Sequence, residues 1–194
     1  PLSINEDLNP FAEDREIPFT KSFIARYREA QRERNRRITQ WARDEIDRIV
    51  SAGHYDRLFT TPRLWADLRM IDGSIDPSNR EFPSCYLGDP RRANYGIYGV
   101  GTVSSLRTWL SMWSLTDSQC NAAPHLQRIT IPALVIEADA DTGVFPGDTK
   151  AIVEALGSDD LTASTIEGDH YLRDRDGARH EAADLIVEWI RQRV

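Results

Sequence analysis

The sequence predicts a mixed α/β protein, mainly helical in its first half, with parallel strands flanked by helices toward its C-terminus. Three observations carry that expectation. Apolar residues recur at three-to-four spacing from Phe23 to Ile49, the signature of one helical stripe. From residue 131 the pattern becomes strand, helix, strand, helix. Within it, Ala133-Leu134-Val135-Ile136 is a continuous apolar run, as in a parallel strand buried on both faces.

Each element follows from local signals. Residues 1–20 hold Pro10, Pro18 and five acids without periodicity, and read as a loop or linker. Thr20 or Ser22 caps a helix running to about Ala52, where Gly53 stops it. Phe23, Tyr27, Ala30, Ile38, Trp41, Ala42, Ile46 and Ile49 form its stripe, while Gln31 to Arg37 is nearly all polar and is expected to leave the core. Residues 53–103 are irregular, with a short helix expected over about 62–71 and turns at Asp72-Gly73, Asp76-Pro77 and Gly88-Asp89-Pro90. A Gly- and Tyr-rich stretch from Tyr95 to Gly101 leads into a helix over 104–114, with Leu106, Trp109, Leu110 and Trp113 on one side. After the first strand come a helix from about Gly147 to Leu156, a strand from Leu161 to Ile166, and a terminal helix from about Arg179 to Arg191. The terminal helix turns Ala182, Leu185, Ile186 and Ile190 inward. Two strands leave a parallel sheet unfinished, so this stretch is expected to add to strands lying outside the chain.

Composition excludes several classes. A net charge of −7 argues against a general nucleic-acid binder. Nine bases against five acids over residues 21–50 read as a solvated helix face, with a patch for an anionic partner as the alternative. No apolar run reaches the roughly 20 residues of a membrane span. Cys85 and Cys120 form neither a disulfide framework nor a C-x-x-C pair, and are expected as free thiols. A start at Pro1 rather than Met is expected of a processed, nicked or incomplete chain. Targeting is then not legible, and a cytoplasmic location is the default expectation.

The chemistry concentrates at two loops. Asp141 follows the first strand and His170 the second, and in a parallel sheet both loops open at the carboxyl edge, where ligands bind. A carboxylate delivered beside an imidazole there fixes its tautomer and supports its protonated form, which makes His170 a general base. Ile129-Thr130-Ile131-Pro132-Ala133-Leu134-Val135-Ile136, Asp139-Ala140-Asp141, Pro146, Gly168-Asp169-His170 and Glu188-Trp189-Ile190 together resemble the C-terminal third of α/β-hydrolases. The resemblance covers about a third of the chain closely. It implies a linker over 1–20 from an N-terminal core, a helical cap over 21–103, and the C-terminal part of an α/β-hydrolase core over 104–194.

Two departures stand out. Glu137 and Ala138 occupy the stretch where the family usually has Gly before the acid, and the nucleophile elbow G-x-S-x-G is absent. Gly99-Val100-Gly101-Thr102-Val103-Ser104-Ser105 is rich in glycine but lacks the elbow pattern, and reads as a hinge. The resemblance therefore implies ester or acyl-bond hydrolysis in which this chain supplies the acid, Asp141, and the base, His170. The nucleophile would come from an N-terminal segment outside it. Acyl transfer, epoxide opening or dehalogenation on the same fold, and a non-catalytic binding or regulatory role, are the alternatives.

Asp139 competes with Asp141 for the acid's role; family spacing favours Asp141 and leaves Asp139 as a turn former. Asp148 reads as a first-turn helix acid, and His54, His125 and His180 as surface or cap residues. Val144, Phe145 and Tyr171 flank acid and base as candidate pocket walls, with core packing as the alternative. Trp109 and Trp113 are candidates for the same pocket, although their helical spacing also fits a core. No zinc spacing, P-loop or dinucleotide fingerprint occurs, so chemistry without a cofactor or metal is expected. The expected partners are a small ester-like molecule and either the N-terminal half of the same hydrolase or a second copy of the chain.

Overall fold

The computed structural model describes residues 6–96, 99 and 102–194. The chain divides into two compact units, one drawn from Pro1–Asp72 and Asp89–Cys120, the other from Gly73–Gly88 and Asn121–Val194. The helical face of 106–113 packs with the first unit, so the division does not fall at 103/104. Much of the stretch from Tyr95 to Gly101, with Val100 and Gly101 of the expected hinge, lies outside the described residues.

The first unit is built on α1 (Lys21–Ser51). Thr20 caps it, its hydroxyl accepting the Phe23 N–H at 3.2 Å. Gly53 ends it at φ +82, while the Gly53 and His54 N–H groups bond back to Val50 and Ile49 carbonyls. Ile38, Ala42 and Ile49 of its stripe are buried with Leu106 and Trp109, and Trp41, Phe59, Leu110 and Trp113 pack around them. The polar turn Gln31 to Arg37 does not simply face water. Arg34 reaches the Pro62 and Arg63 carbonyls, and Asn35 bonds the Trp113 carbonyl at 2.7 Å and the Leu115 N–H at 2.9 Å.

Two short strands, β1 (Leu58–Thr60) and β2 (Val103–Ser105), pair antiparallel with Phe59 opposite Ser104. At three residues each they are too short to show an alternating pattern. Between them lies α2 (Pro90–Tyr95), capped by Asp89 and started by a proline. The helix expected over 62–71 is reduced to one 3-10 turn, Leu68–Met70. Arg63 sits at φ +52, and the Arg63 and Trp65 N–H groups are taken by the Asn94 carbonyl and side chain. Helix α3 (Leu106–Thr108) runs on into a π-helical turn, Trp109–Trp113, starting later than expected because Ser104 and Ser105 belong to β2. Residues 6–19 are not a free linker either, since Leu8, Phe11 and Phe19 are buried.

Glu45 is the buried acid of α1, gripped by Arg48 at 2.7 Å through both oxygens and by Arg57. Hydrogen bonds from Arg48 first, then Arg57, hold its carboxyl down to about 2 from the ordinary 4.5. A folded value below the unfolded one contributes stability that is complete above the unfolded value and lost as pH falls through the folded one. The thermal midpoint is therefore expected to fall between pH 4.5 and 2 in a way that Glu45→Gln flattens. Superimposable acid limbs for both proteins would refute this.

The second unit contains α4 (Ala123–Leu126), a short helix without a counterpart in the sequence reading, followed by β3 (Ala133–Ala138), α5 (Pro146–Ala155), β4 (Leu161–Ile166) and α6 (Ala178–Arg191), these four close to the expected bounds. β3 and β4 are parallel, in register from Ala133 opposite Leu161 to Ala138 opposite Ile166. Both α5 and α6 pack on β3, and α6 also on β4. Phe145, Ile166 and Ala178 are fully buried, and Trp189 Nε1 donates to Thr162 Oγ1 at 3.0 Å. Ile186 and Ile190, expected inward, remain 42% and 46% exposed, so α6 keeps an uncovered apolar flank.

The sheet is open beyond β3. Ala133 and Asp139 donate to Asp160 and Ile166 carbonyls, so odd positions of β3 face β4 and Leu134, Ile136 and Ala138 address the other edge. Among the described residues no strand pairs there. Neither Cys85 nor Cys120 is in a disulfide, as expected, and Cys85 is buried.

Candidate active site

The candidate acid and base, Asp141 and His170, are brought together at the carboxyl ends of β3 and β4. Asp141 Oδ1 lies 2.8 Å from His170 Nδ1. The carboxylate can only accept when ionised, so Nδ1 carries the proton and Nε2 the lone pair. The same Oδ1 accepts the Gly143 and Val144 N–H groups at 2.6 and 2.9 Å, which fixes the oxygen independently of the histidine. The Asp141 side chain is 13% exposed and that of His170 28%. Among the described residues Nε2 has no hydrogen-bond partner.

Asp139 does different work. Its N–H bonds the Ile166 carbonyl at 2.9 Å, and its Oδ1 accepts the Gly168 N–H at 2.9 Å. Its Oδ2 takes the Asn79 amide at 2.7 Å, and Ala140 N–H reaches the Gly168 carbonyl at 3.0 Å. The acid loop and the histidine loop are thus stitched together by Asp139, whose bonds to Gly168 and then Asn79 hold its carboxyl below the usual range. Glu137, behind it on β3, is pushed up by burial first and then by the neighbouring acids Asp76, Asp139 and Asp141.

The histidine loop is closed by its own polar groups. Asp169 Oδ1 accepts the Tyr171 and Arg173 N–H groups, and the Asp169 N–H goes to Asp174. Gly168 sits at φ +153, and a Cβ there would meet Leu172 Cδ2 at 2.9 Å. Gly168→Ala is expected to cost about 1–3 kcal/mol in denaturant unfolding, because an L side chain is strained in that conformation. An unchanged midpoint would refute the strain.

The sequence-predicted side chains separate by position. Val144 and Tyr171, 38% and 42% exposed, lie beside the pair, and the Tyr171 ring meets the His170 ring edge-on at 4.9 Å. Phe145 is 1% exposed, beneath the Arg80 guanidinium at 4.7 Å, and packs in the core. Trp109 and Trp113 belong to the core of the first unit, Trp109 donating from Nε1 to Thr39 Oγ1 at 3.1 Å. Asp148 is the first-turn acid of α5, its Oδ2 accepting the Phe145 N–H.

The segment Gly73–Gly88 supplies what sequence reasoning missed. Asn79 holds Asp139 through its side chain, and its N–H bonds the Asp139 carbonyl at 3.0 Å. Asp76 accepts the Gly147 N–H at the start of α5 through both oxygens. Arg80 bonds the Ile75 and Asp76 carbonyls and lies over the Phe82 and Phe145 rings. Tyr86 brings its ring to 5.1 Å from that of His170. The only sequence signal was a density of turn formers, which does not reveal where a segment docks.

Among the described residues no group of three or more His, Cys, Asp or Glu side chains is placed to hold a metal ion, and no helix is long and apolar enough to cross a membrane. No family model, curated protein or solved structure matches the chain. The chemistry of the pair therefore rests on its own geometry.

Proposed function

We propose that this chain is the acid–base half of an α/β-hydrolase that cleaves an ester or related acyl bond. The observation that carries the reading is the 2.8 Å contact between Asp141 and His170 at the carboxyl ends of adjacent parallel strands. A binding or regulatory module has no need of that pair in contact. His170 Nε2 takes the proton of a hydroxyl or thiol nucleophile as the nucleophile bonds to the acyl carbon. The imidazolium, held by Asp141, then gives that proton to the departing alkoxide as the carbon–oxygen bond breaks. Water repeats the cycle and releases the acid.

The nucleophile and the oxyanion donors come from a segment outside this chain, which also continues the sheet beyond β3. The open edge of β3 and the uncovered flank of α6 support that assignment. Acyl transfer, epoxide opening and dehalogenation use the same acid and base, and the identity of the nucleophile separates them. The test is p-nitrophenyl butyrate hydrolysis by the native assembly containing this chain, wild type against His170→Ala. Equal rates would reject the reading.

A further inference from the structure

We propose that Tyr86 is the positioning residue of the base: its ring braces the His170 imidazole against Asp141 and stabilises the imidazolium. The inference rests on the reading of His170 as the base. Three contacts define the ring's place. Asp141 takes Nδ1, the Tyr171 ring stands at 81° to the imidazole, and the Tyr86 ring lies at 34° to it with centroids 5.1 Å apart. An imidazolium at that separation from a phenol ring lies within the range where the π-face attracts a cation. Nε2 is the ring nitrogen left for the reaction.

The packing is tight where the two rings meet. A Cβ added at Gly143 would lie 3.0 Å from His170 Cε1 and Nδ1 and 3.0 Å from Tyr86 Cδ1. Gly143 is thus the close approach that lets the acid loop, the base and Tyr86 share one space. Burial first, and then Tyr171, raise the Tyr86 phenol above its ordinary value, so the ring beside the base stays neutral. Tyr86 comes from Gly73–Gly88, the same segment that holds Asp139 through Asn79 and the start of α5 through Asp76. One excursion of the chain therefore fixes the base, the stitch between the loops and the helix behind the acid.

Three charged residues stand at or near the imidazole among the described residues. Asp141 contacts it directly, Arg173 lies over the Tyr171 ring at 4.9 Å, and Asp169 is turned to backbone N–H groups of its own loop. Y86L removes the π-face beside the imidazole and leaves an apolar side chain in its place, while Y86F keeps the ring and removes only the hydroxyl.

The experiment is an NMR pH titration of 15N-labelled His170 in this chain, with wild type, Y86F, Y86L, G143A and D141N. Y86F is expected to titrate with the wild type. Y86L is expected to lower the His170 midpoint by about 0.4 to 0.7 pH unit and to broaden the low-field Nδ1 proton. G143A, which pushes the rings apart, is expected to move both signals in the same direction by less. The proposal is overturned if Y86L titrates with the wild type while D141N shifts the midpoint. If D141N leaves His170 unchanged, the acid–base reading itself fails. Should Y86L not fold, a G143A titration coincident with those of Y86F and the wild type overturns the proposal.

Discussion

Replacing His170 by alanine is expected to lower ester turnover of the assembly by about 10,000-fold or more, with little loss of stability. The chemical loss is large because no other side chain among the described residues contacts Asp141 as a base. The folding cost is small for a specific reason. Asp141 Oδ1 keeps the Gly143 and Val144 N–H groups when the imidazole leaves, so no buried carboxylate is orphaned. The two acids separate the same way. Asp141→Asn is expected to approach the His170→Ala defect, because the amide oxygen stays on the Gly143 and Val144 N–H groups but the neutral side chain no longer supports the imidazolium with a charge. Asp139→Asn keeps an oxygen for the Gly168 N–H and is expected to act mainly on stability. Kinetics and denaturant melts of the three variants check this, and a normal turnover number in Asp141→Asn would dismiss its assignment as the acid.

The pair was legible in the sequence because its geometry is a consequence of topology. Residues that follow two adjacent parallel strands meet at one edge, whatever the intervening helix contains, so Asp141 and His170 could be joined from order and spacing alone. The choice of Asp141 over Asp139 comes from the family spacing that the resemblance implies; in the structure Asp139 follows the last register pair, Ala138 opposite Ile166, and ties the two loops through Gly168. Tyr86, Asn79 and Asp76 were not legible. They arrive from a segment without helical or strand periodicity, and its docking depends on single side-chain bonds rather than on a hydrophobic pattern.

The same distinction runs through the fold. Helix α1, β3, β4 and α6 announce themselves through apolar periods and caps, and their bounds are nearly those expected. The strands β1 and β2 do not, because three residues cannot establish a period. The helix expected over 62–71 failed to a competing force, the capture of Arg63 and Trp65 N–H groups by Asn94, which lies far along the sequence. The spacing of Ile186 and Ile190 predicts burial, as it would for a helix against a complete sheet. Here they flank a sheet that ends at β3.

Trp109→Ala is expected to destabilise the first unit by about 3–5 kcal/mol, the usual cost of truncating a buried aromatic side chain. Trp109 is 1% exposed among Ile38, Ala42, Ile49 and Leu106, with the Phe59 ring edge-on at 5.8 Å. The indole also donates to Thr39 Oγ1, and Thr39 is itself buried. Trp109→Phe retains most of the volume and loses that bond, so its expected cost is smaller, about 1–2 kcal/mol. Urea unfolding followed by circular dichroism measures both, with an unchanged m-value required for the comparison. The ordering Ala, then Phe, then wild type belongs to a residue whose work is packing. A Trp109→Ala protein that unfolded with the wild type but raised KM in the assembly would instead put the indole at the substrate. Its near-complete enclosure by the α1 stripe argues for the first result.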